Sequence, residues 1–262
     1  MTRAPDRLGE AKIGPENPFF EIIEEAYRVF ARPKPRNIEV CEGCCMDPAI
    51  EADFFNPPIA ELPLSYVQDW FFAAYNPETG VAKATWAYLL PRILEVLASG
   101  NDVANVGLEV ALQRFDTGNR DNWSPEQWNV LDAFQRLYLR LQLERAAPFT
   151  EQGDYLDDVV CMFALGGWPA EDLVDQLNVA DDRALAERLY RDWRHGRYED
   201  GKIWITAFWE GPGRDEVWSF YTSQGLHDRM ARLALDDDVD PELAEKAYRV
   251  ANVVRANQDL PD

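Results

Sequence analysis

The stretch SPEQWNVLDAFQRLYLRLQLERAAP, residues 124–148, decides how the whole chain reads. Ser124 is an N-cap, Pro125 takes the first helical position where its missing N–H costs nothing, and Gln127 closes a capping box. Val130, Phe134, Leu137 and Leu141 then recur at helical spacing, and Pro148 follows the end. This is an amphipathic helix with its start and stop both written into the sequence.

The same grammar repeats on either side. In NPFFEIIEEAYRVFARPKP, Asn17 reads as a cap and Pro33 as a stop. Asp47 and Pro48 open a short helix, and Ser65 with Gln68 fits a capping box for the next. VAKATWAYLLPRILEVLASG is helical by pattern, but Pro91 is expected to kink or divide it near Leu90. VANVGLEVALQRF, residues 103–115, reads as another helix. Further helices are expected at residues 154–167, 169–179, 181–196 and 240–257, the last capped by Asp240. Residues 202–222 are ambiguous. IWITAFW is rich in β-branched and aromatic residues, yet no hairpin partner is evident, so a buried helix is expected there.

About ten helices with short linkers and no βαβ rhythm make an all-α protein, a multi-helix bundle or an irregular HEAT-like stack. No fixed-period repeat supports a true solenoid. Residues 1–16, which lack an apolar signal core, read as a flexible lead into a cytoplasmic protein. Residues 17–150 form one helical half and residues 151–262 a more acidic one, packed as one domain with a seam near AAPFTEQGDY. No apolar run approaches the roughly 20 residues that a membrane span needs.

Charge is the strongest global signal. The chain holds 47 acidic and 26 basic residues, a formal net charge of −21. Residues 1–150 contribute 22 and 14, and residues 151–262 contribute 25 and 12, so the second half is the more acidic. Phosphates would be repelled, which argues against free nucleic acid as a ligand and for a basic protein as partner. The carboxylates Asp154, Asp157, Asp158, Asp236, Asp237 and Asp238, with Trp209 and Trp218 as aromatic anchors, are the expected partner-binding residues.

Chemistry-bearing motifs are few. EVCEGCCMDP places Cys41 and Cys44 at the C-x-x-C spacing that lets two thiolates hold zinc, with Cys45 as a third ligand. A helix start just after them would also lower a thiol's pKa. The remaining candidate ligands, Cys161, His195 and His227, are distant in sequence. There is no P-loop, no G-x-G-x-x-G and no G-x-S-x-G elbow. DDDVDPE lacks the central glycine and the twelfth-position glutamate of a calcium loop.

CEGCCMDP, IAELPLSYVQDWFFAAY and YLLPRILEVLASG together resemble a family of uncharacterised bacterial helical proteins with a short Cys motif and an LLPRILE-type helix. The resemblance covers about residues 38–100 and implies bacterial origin but no activity. The composition supports an acidic, non-enzymatic binding protein, immunity- or inhibitor-like, that covers a basic site on a toxin or another basic protein. The alternative is a zinc- or thiolate-dependent sensor or enzyme centred on Cys41, Cys44 and Cys45.

Overall fold

The computed structural model describes residues 11–41, 45–73, 80–144, 155–209 and 211–258, apart from the side chain of Pro212. The chain is all-α, with one small hairpin. It divides into two compact units, residues 1–138 and 139–262. The expected seam at residues 146–155 falls almost wholly outside the described residues.

The first unit contains α1 (Phe20–Val29), α2 (Pro48–Asp53), α3 (Leu64–Ala73), α4 (Lys83–Ala98) and the first part of α5 (Pro125–Glu144). Helix α4 is its centre. Every residue from Thr85 to Leu97 is buried, as expected of a helix surrounded by partners on all sides. That surround explains why α4 runs unbroken through Pro91 instead of dividing at Leu90. Packing on every face holds the helix together despite one lost amide, so tertiary context overrides the local penalty. Trp70 and Trp86, both fully buried, meet each other and Phe71 in the core. Their indole N–H groups donate to Ile38 O at 2.7 Å and Thr117 Oγ1 at 2.8 Å, so neither leaves an unpaired polar atom.

Several starts fall where the caps indicate. Asp47 accepts from Ala49 N, and Ser124 and Gln127 exchange both bonds of a capping box. Other elements are corrected. Helix α1 begins at Phe20 because Asn17 closes a turn first, accepting from Phe19 N. Helix α3 begins at Leu64, so Ser65 lies inside it, and Gln68 donates to Asp102 O. Residues 103–115 hold only a short 3₁₀ turn at Leu108–Val110, because Gly107 sits at φ +148° and breaks the helical run. On α5 the buried face runs through Val130, Phe134 and Tyr138, while Leu137 is only half-buried.

The second unit contains the last residues of α5, then α6 (Leu156–Leu165), α7 (Ala170–Asn178), α8 (Asp182–Asp192), β1 (Tyr198–Glu199), β2 (Lys202–Ile203), α9 (Pro212–Tyr221), α10 (Gln224–Ala234) and α11 (Pro241–Asn257). Helices α8 and α10 pack on α11, and α7 packs on α9. Residues 202–222 are therefore not one buried helix. Lys202–Ile203 pairs antiparallel with Tyr198–Glu199 across Asp200 and Gly201, both at positive φ, and only α9 is helical. Asp-Gly is the favoured pair for such a tight turn. Buried Asn257 fastens the hairpin to the end of α11, accepting from Ile203 N at 3.0 Å and donating to Gly201 O at 3.3 Å.

Candidate functional site

Helices α10 and α11 are joined by the short loop Leu235–Val239 and form a helical hairpin. Ser223 caps the first, its Oγ accepting from Leu226 N, and Asp240 caps the second, accepting from Glu242 N. Small side chains along the two helices line a groove of about 450 Å³. Ala231, Ala234, Ala244 and Ala251 make its apolar floor, and Leu235 and Tyr248 stand at its margins. Leu235 is 84% exposed and Tyr248 57% exposed, large apolar surfaces that no described residue covers.

The rim beside the groove is acidic. Asp236, Asp237, Asp238, Asp240 and Glu242 occupy the segment from Leu235 to Ala244, which contains no Lys, Arg or His. Asp236, Asp237 and Asp238 are all exposed. Asp236 is spent partly on its own loop, accepting from Asp238 N at 2.9 Å. No described cation lies within ion-pair distance of these three carboxylates. On the opposite edge, His227 Nδ1 lies 3.1 Å from Asp228 Oδ1, and hydrogen bonds from His227 and Gln224 hold the Asp228 carboxyl below its usual range.

The other expected partner-binding residues are placed differently. Asp157 is 2% exposed and accepts from Thr206 N at 2.6 Å, with Arg197 Nε at 3.1 Å in an ion pair whose alignment falls short of a hydrogen bond. Asp158 is also buried, accepts from Tyr155 N and pairs with the Arg197 guanidinium. Both carboxylates face inward from the first turn of α6, where the exposed surface expected of them does not exist. Asp154 lies outside the described residues. Trp209 and Trp218 do come together, lining one cavity of about 290 Å³ with Trp204, but Trp209 is buried and Trp218 half-buried.

Of the cysteines, Cys41 and Cys45 are exposed, with Cys45 N donating to Cys41 O at 3.4 Å. Cys44 lies outside the described residues, and Cys161 is fully buried on α6. Among the described residues no group of three or more His, Cys, Asp or Glu side chains is arranged to hold a metal.

Leu235 and Tyr248 were missed in the sequence. The signal for Leu235 was available: it stands at a helix end directly before three aspartates. Tyr248 gives no comparable sign, because its spacing within α11 resembles that of a core residue. Across the described residues no helix is long and apolar enough to cross a membrane. No family model, no curated protein and no solved structure matches the chain.

Proposed function

We propose that this is an acidic, non-enzymatic binding protein, immunity- or inhibitor-like, that holds a basic polypeptide against the α10–α11 hairpin. One observation carries the reading: an apolar groove flanked by exposed Leu235 and Tyr248 adjoins a loop whose three exposed carboxylates, Asp236, Asp237 and Asp238, pair with no described cation. The apolar margins supply contact area, and the carboxylates select for lysine and arginine while speeding encounter. An aliphatic side chain of the partner fits the alanine floor. A toxin's basic, phosphate-binding cleft presents this kind of surface. Residues 236–238 do the steering, and Leu235 and Tyr248 hold the complex once formed.

The test uses a Lys- and Arg-rich amphipathic helical peptide as probe, followed by stopped-flow fluorescence at about 50 mM and about 300 mM salt. Converting Asp236, Asp237 and Asp238 together to Asn should slow association about tenfold at the lower salt and flatten its salt dependence. Leu235→Ala should instead raise the dissociation rate. A triple variant that associates at the parent rate, or a probe that does not bind, overturns the reading.

A further inference from the structure

We infer that a second cleft, beside the distorted end of α8, binds a small organic anion carrying a flat ring. Helix α8 ends at Asp192 and runs into a π-helical turn at Trp193–Arg197, where His195 (φ −109°, ψ 23°) and Gly196 (φ +130°, ψ −7°) leave helical geometry. Widened turns of this kind cost free energy, recur at functional sites and persist only when their surroundings hold them.

Here they are held from several sides. The Tyr155 hydroxyl donates to His195 O at 2.6 Å, and its ring receives the Arg197 guanidinium at 4.1 Å. Arg197 is anchored in turn by Asp157 and Asp158. Buried Trp193 meets Tyr221 edge to face at 6.1 Å. Gly196 admits no side chain without strain, since a Cβ there would lie 3.0 Å from the Tyr155 hydroxyl at a φ that L-residues rarely adopt.

The consequence is a separation of two arginines. On a regular helix, residues three apart share a face. The widened turn instead sends Arg197 inward to its carboxylates and leaves Arg194 exposed. Arg194 has no described carboxylate within ion-pair distance, although residues 151–262 contain 25 acidic residues. Its Nη1 donates to the Tyr190 hydroxyl at 3.0 Å, and its guanidinium lies over the Tyr190 ring at 5.9 Å.

Arg194 borders a cleft of about 580 Å³. Tyr190, Trp193 and Tyr198 supply aromatic surface, Arg249 a second guanidinium from α11, and Asn252 an amide at the edge. Among the described residues Arg249 pairs with exposed Glu245 at 2.8 Å, a surface pair of little strength. Tyr190, Arg194 and Arg249 thus line the same cleft. The volume is that of a small-molecule site. Guanidinium groups recognise a carboxylate or phosphate by fork-shaped hydrogen bonds, and an aromatic lining suits a planar group. The ligand class is therefore a ring-bearing carboxylate or phosphate, with an aryl carboxylate or a mononucleotide as its two sources.

Isothermal titration with indole-3-acetate and with adenosine monophosphate tests this, with indole, adenosine and inorganic phosphate as halves of the ligand. At least one whole ligand should bind at submillimolar Kd, and its halves at least tenfold more weakly. Binding of the nucleotide alone assigns the phosphate source, and binding of the acetate alone the carboxylate source. Arg194→Ala, at an exposed position, should weaken the binding ligand about tenfold or more. Failure of both whole ligands at millimolar concentration, phosphate binding as tightly as the nucleotide, or an unchanged Arg194→Ala variant each overturns the inference. The combined Asp236→Asn, Asp237→Asn and Asp238→Asn variant should leave this binding unchanged, which separates it from the polypeptide site.

Discussion

Each unit buries a cluster of charges, and the two are wired differently. In the first unit one carboxylate serves three donors. Glu95 Oε2 accepts from Arg92 Nη1 at 2.8 Å, Lys12 Nζ at 2.9 Å and the Tyr27 hydroxyl at 2.6 Å. Arg92 goes on to Ala11 O and Leu62 O, so a single hub ties residues 11, 27 and 62 to α4. In the second unit Asp157, Asp158 and Asp192 face Arg188, Arg191 and Arg197. Asp192 also accepts from Leu156 N, and Arg188 reaches Gln142 O. Charge and hydrogen bonds are shared there among several partners. A buried ion pair is weak evidence of stability, but removing one member strands the others. The hub should therefore fail at one position, whereas the shared cluster should tolerate a single loss.

The largest effect is expected from Glu95→Ala. Arg92 and Tyr27 would lose their common acceptor inside the first unit, at a cost of about 4 kcal/mol in urea unfolding. An effect under about 1 kcal/mol would show that the hub carries little.

Alkali should stress both clusters. Burial first, and then the Glu95 charge, raise the Tyr27 pKa beyond its ordinary range. Burial, then Asp157 and Asp192, do the same to Tyr221. A tyrosine whose folded pKa is raised contributes stability that is whole below its unfolded value near 10 and is lost as pH rises further. Unfolding free energy should thus fall above pH 10 by up to about 1.4 kcal/mol per pH unit for each tyrosine. Tyr27→Phe and Tyr221→Phe should each flatten that slope, and a slope unchanged in both variants would remove the tyrosines as its cause.

Gly196→Ala should cost about 1–2 kcal/mol, since it strains φ and crowds the Tyr155 hydroxyl. Smallest is Asp158→Asn, at about 1 kcal/mol. Its amide oxygen still accepts from Tyr155 N, and Asp157 keeps Arg197. If that variant proved as damaging as Glu95→Ala, the contrast between hub and shared cluster would be gone.

What the sequence reveals and what it hides follows the same line. Asp47, Ser124 with Gln127 and Asp240 announce their helices because a cap acts on residues two or three positions away. Asp157 and Asp158 look like any solvated acidic pair, since their fate is set by Arg197, nearly forty residues on. Glu95 hides likewise, because Lys12 and Tyr27 belong to distant segments. The hairpin's Asp200-Gly201 was visible, but strands of two residues are too short to show a period. At the candidate groove the carboxylates of residues 236–238 were legible and the apolar half was not. An exposed Tyr248 and a buried one have the same helical spacing, and only the positions of the neighbouring alanines distinguish them.

Helix α5 bears on the order in which the chain acquires structure during synthesis. Its 20 residues run without a break from Pro125 to Glu144, across the point where the first unit ends at Tyr138. Val130, Leu131, Phe134 and Tyr138 are buried early in it, and Leu139 and Leu143 are buried beyond that point. The unfavourable step in making a helix is its first turn, after which each residue adds a hydrogen bond at little cost. Once the earlier residues of α5 have docked, that step is complete for the later ones. As the remainder of the chain leaves the ribosome, the second unit starts on a turn already wound.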